Sequence, residues 1–195
     1  MKRYSLAVLV LVVVIAAVLA GCVAGGPRMI TAEQQLKAGH DAALIVFLRP
    51  NPVSFGGGNF QLWDRDHFIG FLEPVTSVSY RVKPGEHLFL VKAETWEAVK
   101  GKVSAGKTYY ISVDPRVGAG AFVGPGGGTR VSLTALDSND TRITDWMRHC
   151  RPIQLADPEK GAAFEKKYER HVTKAIGNVE SGKANYTALT PSKGK

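Results

Sequence analysis

Cysteine is almost missing from this chain: two residues in 195, Cys22 and Cys150. With no Cys-x-x-Cys pair, a thiolate zinc site is excluded. Long apolar runs are scarce too. The longest covers residues 6–20, or 15 positions, whereas a membrane-spanning helix needs about 20. The histidines are His40, His67, His87, His149 and His171, and none are paired at the i, i+4 spacing of a helical metal site. Gly118-x-Gly120 and Gly124-x-Gly126-Gly127-Gly128 precede a strand pattern, with no Gly-Lys-Ser/Thr after them, so they do not build a phosphate cradle. Ser104-x-x-Lys107 falls where a strand gives way to a turn and lacks the companion motifs of a serine hydrolase. Asp64 and Asp66 flank a turn residue without the other ligands of a calcium loop. No catalytic residue, metal ligand or cofactor is therefore assigned, and a non-enzymatic role is expected. His67 and His87 are the one pair that could meet across strands. They leave open an alternative, a ligand-binding or hydrolytic protein with residues 114–128 as a lid.

What is present begins at the N-terminus. Lys2 and Arg3 precede the apolar run, which ends in Leu19-Ala20-Gly21-Cys22. A basic start, a short apolar stretch and a small-residue exit make a secretory signal. The ending resembles the lipobox of bacterial lipoproteins. That resemblance implies cleavage before Cys22, acylation of its thiol, and stable anchoring by more than one acyl chain. Val23, rather than Asp, follows the cysteine. The same resemblance therefore implies the outer membrane, with the domain facing the periplasm. Cys150 is then left without a partner, so no internal disulfide forms. It shares an i, i+3, i+4, i+7 stripe with Ile143, Trp146 and Met147, the pattern of a buried, inert thiol on a helix. The formal charge is +8, or +6 once Lys2 and Arg3 leave with the signal. A diffuse basic excess suits anionic lipid or polysaccharide. An exported chain without interleaved aromatics does not suit nucleic acid.

The organisation expected is a signal peptide at 1–21, a lipidated tether at 22–41, a β-domain at 42–136, a helical extension at 137–180 and a disordered tail at 181–195. A short helix is expected within 31–38. In the body, Val78, Tyr80 and Val82 alternate with polar neighbours, as do Tyr109, Ile111 and Val113. Seven or eight such strands at turn spacing predict an antiparallel β-sandwich. Two amphipathic helices follow. The first lies within 140–151. The second is capped by Asp157, opens on Pro158 and is expected to stop at Gly177. Its apolar face is Phe164, Tyr168, Val172, Ala175 and Ile176.

Four motifs carry a further resemblance: Val46-Phe47-Leu48-Arg49-Pro50, Ile69-Gly70-x-Leu72, Tyr80-x-Val82-x-Pro84-Gly85-x-His87, and Ala105-Gly106-Lys107-Thr108-Tyr109-Tyr110. Together they resemble the small all-β domain of unknown function found in many bacterial lipoproteins, in the style of PEGA and transthyretin-like modules. The resemblance covers residues 42–136. It implies a prealbumin- or immunoglobulin-like fold and an envelope location. The two helices and the basic tail at 181–195 are the expected contacts for an envelope protein or peptidoglycan partner. The resemblance carries no catalytic residues.

Overall fold

The computed structural model describes residues 26–34, 36–52, 58–117 and 128–195. The signal stretch, Cys22, Gly56-Gly57 and residues 118–127 of the glycine-rich loop lie outside the described residues. The strands are β1 (Met29–Thr31), β2 (Ala43–Arg49), β3 (Phe60–Asp64), β4 (His67–Leu72), β5 (Thr76–Val82), β6 (Gly85–Lys92), β7 (Trp96–Val103), β8 (Thr108–Val117), β9 (Thr129–Ala135), β10 (Arg151–Leu155) and β11 (Thr187–Leu189). The helices are α1 (Arg142–His149) and α2 (Pro158–Glu180). The protein is mainly β. One sheet has six strands in the order β1-β10-β5-β2-β8-β9, and the other has five in the order β11-β7-β6-β3-β4.

The expected strands form where period-2 alternation puts their apolar residues on one face. Ile45, Phe47, Val78, Tyr109, Ile111 and Leu133 from the first sheet meet Leu62, Leu72, Phe89, Val91 and Val99 from the second in one shared core. The sheets are not antiparallel throughout, as expected, but mixed. β2 runs parallel to β8, β10 to β5 and β11 to β7. Each parallel pair joins segments far apart in sequence, so no hairpin dictates its direction. Between β7 and β8, Gly106 takes φ 73, a conformation glycine adopts without steric cost. This turn brings Tyr109 inward, where its hydroxyl accepts the Ser104 N–H at 2.9 Å.

Both helices cover outer sheet faces. Asp157 caps α2, accepting from the N–H groups of Glu159 and Lys160. The helix then runs through Gly177 to Glu180. The expected stop at Gly177 is corrected because Val179 is buried and holds the last turn to the sheet. Gly182, at φ 72, ends it instead. All five expected apolar residues of α2 pack on Trp63, Phe68, Leu88, Leu90 and Ala98. Trp63 sits among four rings, with Phe68 at 5.0 Å and Phe164 at 6.0 Å, which adds orientation-specific attraction to simple burial. α1 packs on the opposite sheet, its Ile143 against Leu44, Val46 and Leu48.

Three boundaries change. Residues 181–195 are not a disordered tail. β11 pairs with β7, Leu189 is buried, and the Lys195 backbone exchanges two 3.0 Å hydrogen bonds with Thr108. One buried side chain and a paired edge outweigh the polar composition. Residues 137–180 are not wholly helical, because β10 separates α1 from α2. The 22–41 tether is shorter than expected. β1 pairs with β10, and none of the described residues within 31–38 is helical. There the Ala32 N–H donates to Pro152 and the Lys37 carbonyl accepts from Arg81. The sheet supplies partners that a helix would have to forgo.

Candidate functional site

The titratable side chains that converge lie at the β3–β4 hairpin end. Asp64 faces His67 across the β3–β4 pair and Phe89 across the β3–β6 pair. His87 lies two residues before Phe89, on the same inward face. β3 stands between β4 and β6, so about two strand spacings, roughly 10 Å, separate His67 from His87. The two histidines therefore do not pair with each other. Each takes its own carboxylate.

His87 Nδ1–H donates to Asp64 at 3.0 Å and its Nε2–H donates to the Lys83 carbonyl at 2.8 Å. A carbonyl can only accept, and a carboxylate holds no proton to give. With two acceptors facing its two ring nitrogens, the site favours the imidazolium form of His87. The hydrogen bond to Asp64 raises its pKa against the opposing effect of burial. The ring also stacks on Phe89 at 5.5 Å. A raised folded-state pKa makes the pair's stabilisation complete below the unfolded value and lost as pH climbs through the folded one. Urea midpoints of the native protein should fall from neutral towards alkaline pH, and His87→Gln should flatten that slope. Parallel profiles for the two proteins would refute the assignment.

His67 belongs to a second pair. Its Nδ1 lies 2.7 Å from Glu165 of α2, and the same carboxylate accepts the Phe68 N–H at 2.8 Å. β4 is a sheet edge. Glu165 thus covers a backbone donor that would otherwise invite strand pairing. Tyr80 crosses from the other sheet and stacks on His67 at 5.8 Å. Burial, aided by the Asp64 and Glu165 charges, pushes its phenol up to about 12. Sequence reasoning missed Glu165, whose helical position shows no sign of the edge strand beneath it.

Arg49 was also missed. It ends the all-buried strand β2 with its side chain fully inside. Its guanidinium donates to the Gly58 and Leu72 carbonyls and lies 3.9 Å from the centre of the Phe60 ring. Burial lowers its pKa to about 10. An arginine directly after seven apolar residues was the available signal.

The remaining expectations fall elsewhere. A cleft of about 320 Å³ is lined by Asn59, Phe60, Ala93, Glu94, Gly128 and Thr129. Phe60 and Asp64 are the two ends of β3, so this cleft lies about 13 Å along the strand from the Asp64–His87 pair. The described part of the glycine-rich loop meets the cleft rather than the histidines. Residues 114–117 belong to β8, and Gly128 lies against Glu94. Lys107 of the Ser-x-x-Lys pattern donates to the Gly194 carbonyl at 3.1 Å, holding the C-terminal segment. His40, His149 and His171 are exposed. Among the described residues, no three His, Cys, Asp or Glu side chains are arranged to hold a metal.

Cys150 is buried, and desolvation pushes its thiol up to about 11. A thiol kept protonated and covered should resist iodoacetamide in the native state and react promptly in urea. Equal rates in both conditions would place it at the surface. Comparison with protein-family models and with curated proteins returned no match.

Proposed function

We propose that this is a lipid-anchored envelope protein, held at the outer membrane through Cys22 and facing the periplasm as a non-enzymatic interaction module. The motif Leu19-Ala20-Gly21-Cys22 carries the reading. The side chains nearest to a catalytic set, Asp64, His67, His87 and Glu165, are spent on joining sheet to turn and helix to edge strand.

The body fits a prealbumin-type sandwich better than an immunoglobulin one. Its strand orders, β5-β2-β8-β9 and β7-β6-β3-β4, differ from the constant-type immunoglobulin arrangement. The β2–β8 parallel pair at the centre of one sheet supports the same preference.

The partner is an envelope protein or peptidoglycan. In-cell crosslinking of the lipidated protein, followed by mass spectrometry of outer-membrane fractions, tests this. One defined envelope component recovered there supports the reading. A small molecule retained through purification, with no crosslinked component, would favour a ligand-binding protein instead. The convergence of Asp64, His67 and His87 on one inward face gives that alternative its only footing. Deleting residues 181–195 is no clean test of a binding tail, because it removes a strand.

A further inference from the structure

We infer that the outer face of the six-stranded sheet around Ile30 and Leu36 lies on the bilayer surface and sets the orientation of the domain. The inference rests on the Cys22 anchor proposed above and adds to it which face meets lipid.

Two observations carry it. The first is reach. Six residue steps separate Cys22 from Arg28, and Arg28 is already fixed in the fold by its carbonyl, which accepts the Ala156 N–H at 2.9 Å. A fully extended chain of that length spans at most about 20 Å. The edge of the sheet at β1 is therefore held close to the acylated residue.

The second is what that edge presents. Four large apolar side chains are exposed among the described residues. Two of them, Ile30 at 45 % and Leu36 at 38 %, lie in or just after β1, the described strand nearest Cys22 in sequence. Ile30 pairs with Gln154, and Gln154 shares a surface cleft with Leu36 and Pro152. Leu36 in turn shares a cleft of about 220 Å³ with Tyr110 and Met147. Trp146, next to Met147 on α1, carries Arg142 over its ring at 4.9 Å. Polar Gln154 and Ser79 lie between these apolar side chains, and the patch ends in an aromatic with a cation at its rim, a combination suited to the membrane interface. Exposed Tyr186 lies on the opposite sheet, over Lys100.

The charges nearby are mainly basic: exposed Arg28, Lys37, Arg81 and Arg142 stand beside Glu33 and Asp140. Lipid contact therefore combines apolar burial with attraction to anionic headgroups. Such a contact is too small to recruit a soluble domain. It suffices here because the anchor makes it intramolecular, at high effective concentration.

The test uses the acylated full chain in phosphatidylcholine vesicles containing anionic lipid, with a polarity-sensitive fluorophore on Ile30→Cys, Leu36→Cys or Tyr186→Cys. Cys22 is blocked by acylation and Cys150 is buried, so labelling is confined to the new thiol. Brominated acyl chains should quench the labels at 30 and 36 several-fold more than the label at 186. Equal, weak quenching at all three sites in protein that floats with the vesicles would overturn the orientation and leave the anchor standing. Protein that fails to float would overturn the anchor itself. Labels at 30 and 36 that are shielded from aqueous iodide only in native membranes, and are not quenched by brominated lipid, would assign the face to a protein partner and overturn the lipid contact.

Discussion

Cys22→Ala should lose all incorporation of an alkyne-tagged fatty acid and should leave the outer-membrane density fraction. The effect is expected to be close to complete because the proposed anchoring has one covalent source. Each buried methylene contributes about 0.8 kcal/mol to membrane residence, so two or more acyl chains hold a protein almost indefinitely and none holds it hardly at all. No other element takes over that role: no described helix is long and apolar enough to cross a membrane. The face around Ile30 and Leu36 offers only a weak contact. Uncleaved precursor can remain at the inner membrane through residues 6–20, so the density at which the variant bands matters, as well as its association with membrane. Tagged lipid on the variant, or an unchanged outer-membrane band, would end the lipoprotein reading.

Gly101→Val should detach the C-terminal segment. Gly101 pairs with Leu189 across β7 and β11, and a Cβ at position 101 would overlap the Leu189 carbonyl. Backbone cannot give way as a flexible side chain can, so β11 must leave its place. Its departure exposes Leu189, a burial of about 1.5–3 kcal/mol, along with the strand's hydrogen bonds. A total loss of about 3 kcal/mol is expected. Urea unfolding should register it, and protease should cut near residues 182–186, which lie between α2 and β11. The valine should cost far less in a chain that already lacks residues 181–195, since the two changes act on one contact. A native midpoint with a protected segment would show that the close approach at Gly101 is unimportant.

Much of the body was legible in the sequence because its signals are local. Alternation at Val78, Tyr80 and Val82 needs only the pleat of a strand. Asp157 followed by Pro158 marks a helix start, since the cap bonds and the missing proline donor both act within one turn. Cys150 was read as buried from its stripe alone. The 181–195 segment was misread for the converse reason. Its composition is polar, and the partner that orders it, β7, lies more than 80 residues earlier. Strands β1 and β10, only 3 and 5 residues long, are too short to show a period and gain stability only by pairing.

The candidate site divides the same way. That His67 and His87 might approach each other was visible in the sequence. That β3 would come between them, leaving Asp64 to His87 and Glu165 to His67, depended on strand order. The sequence by itself determined the alternating strands and the Asp157 cap of α2, because each is written in neighbouring residues. Only the tertiary structure decided the mixed sheets, the burial of Arg49, the docking of β11 and the partners of each histidine. Those depend on which distant segments share an edge or a face, and chain-closure entropy sets only a weak preference among such pairings until packing selects one.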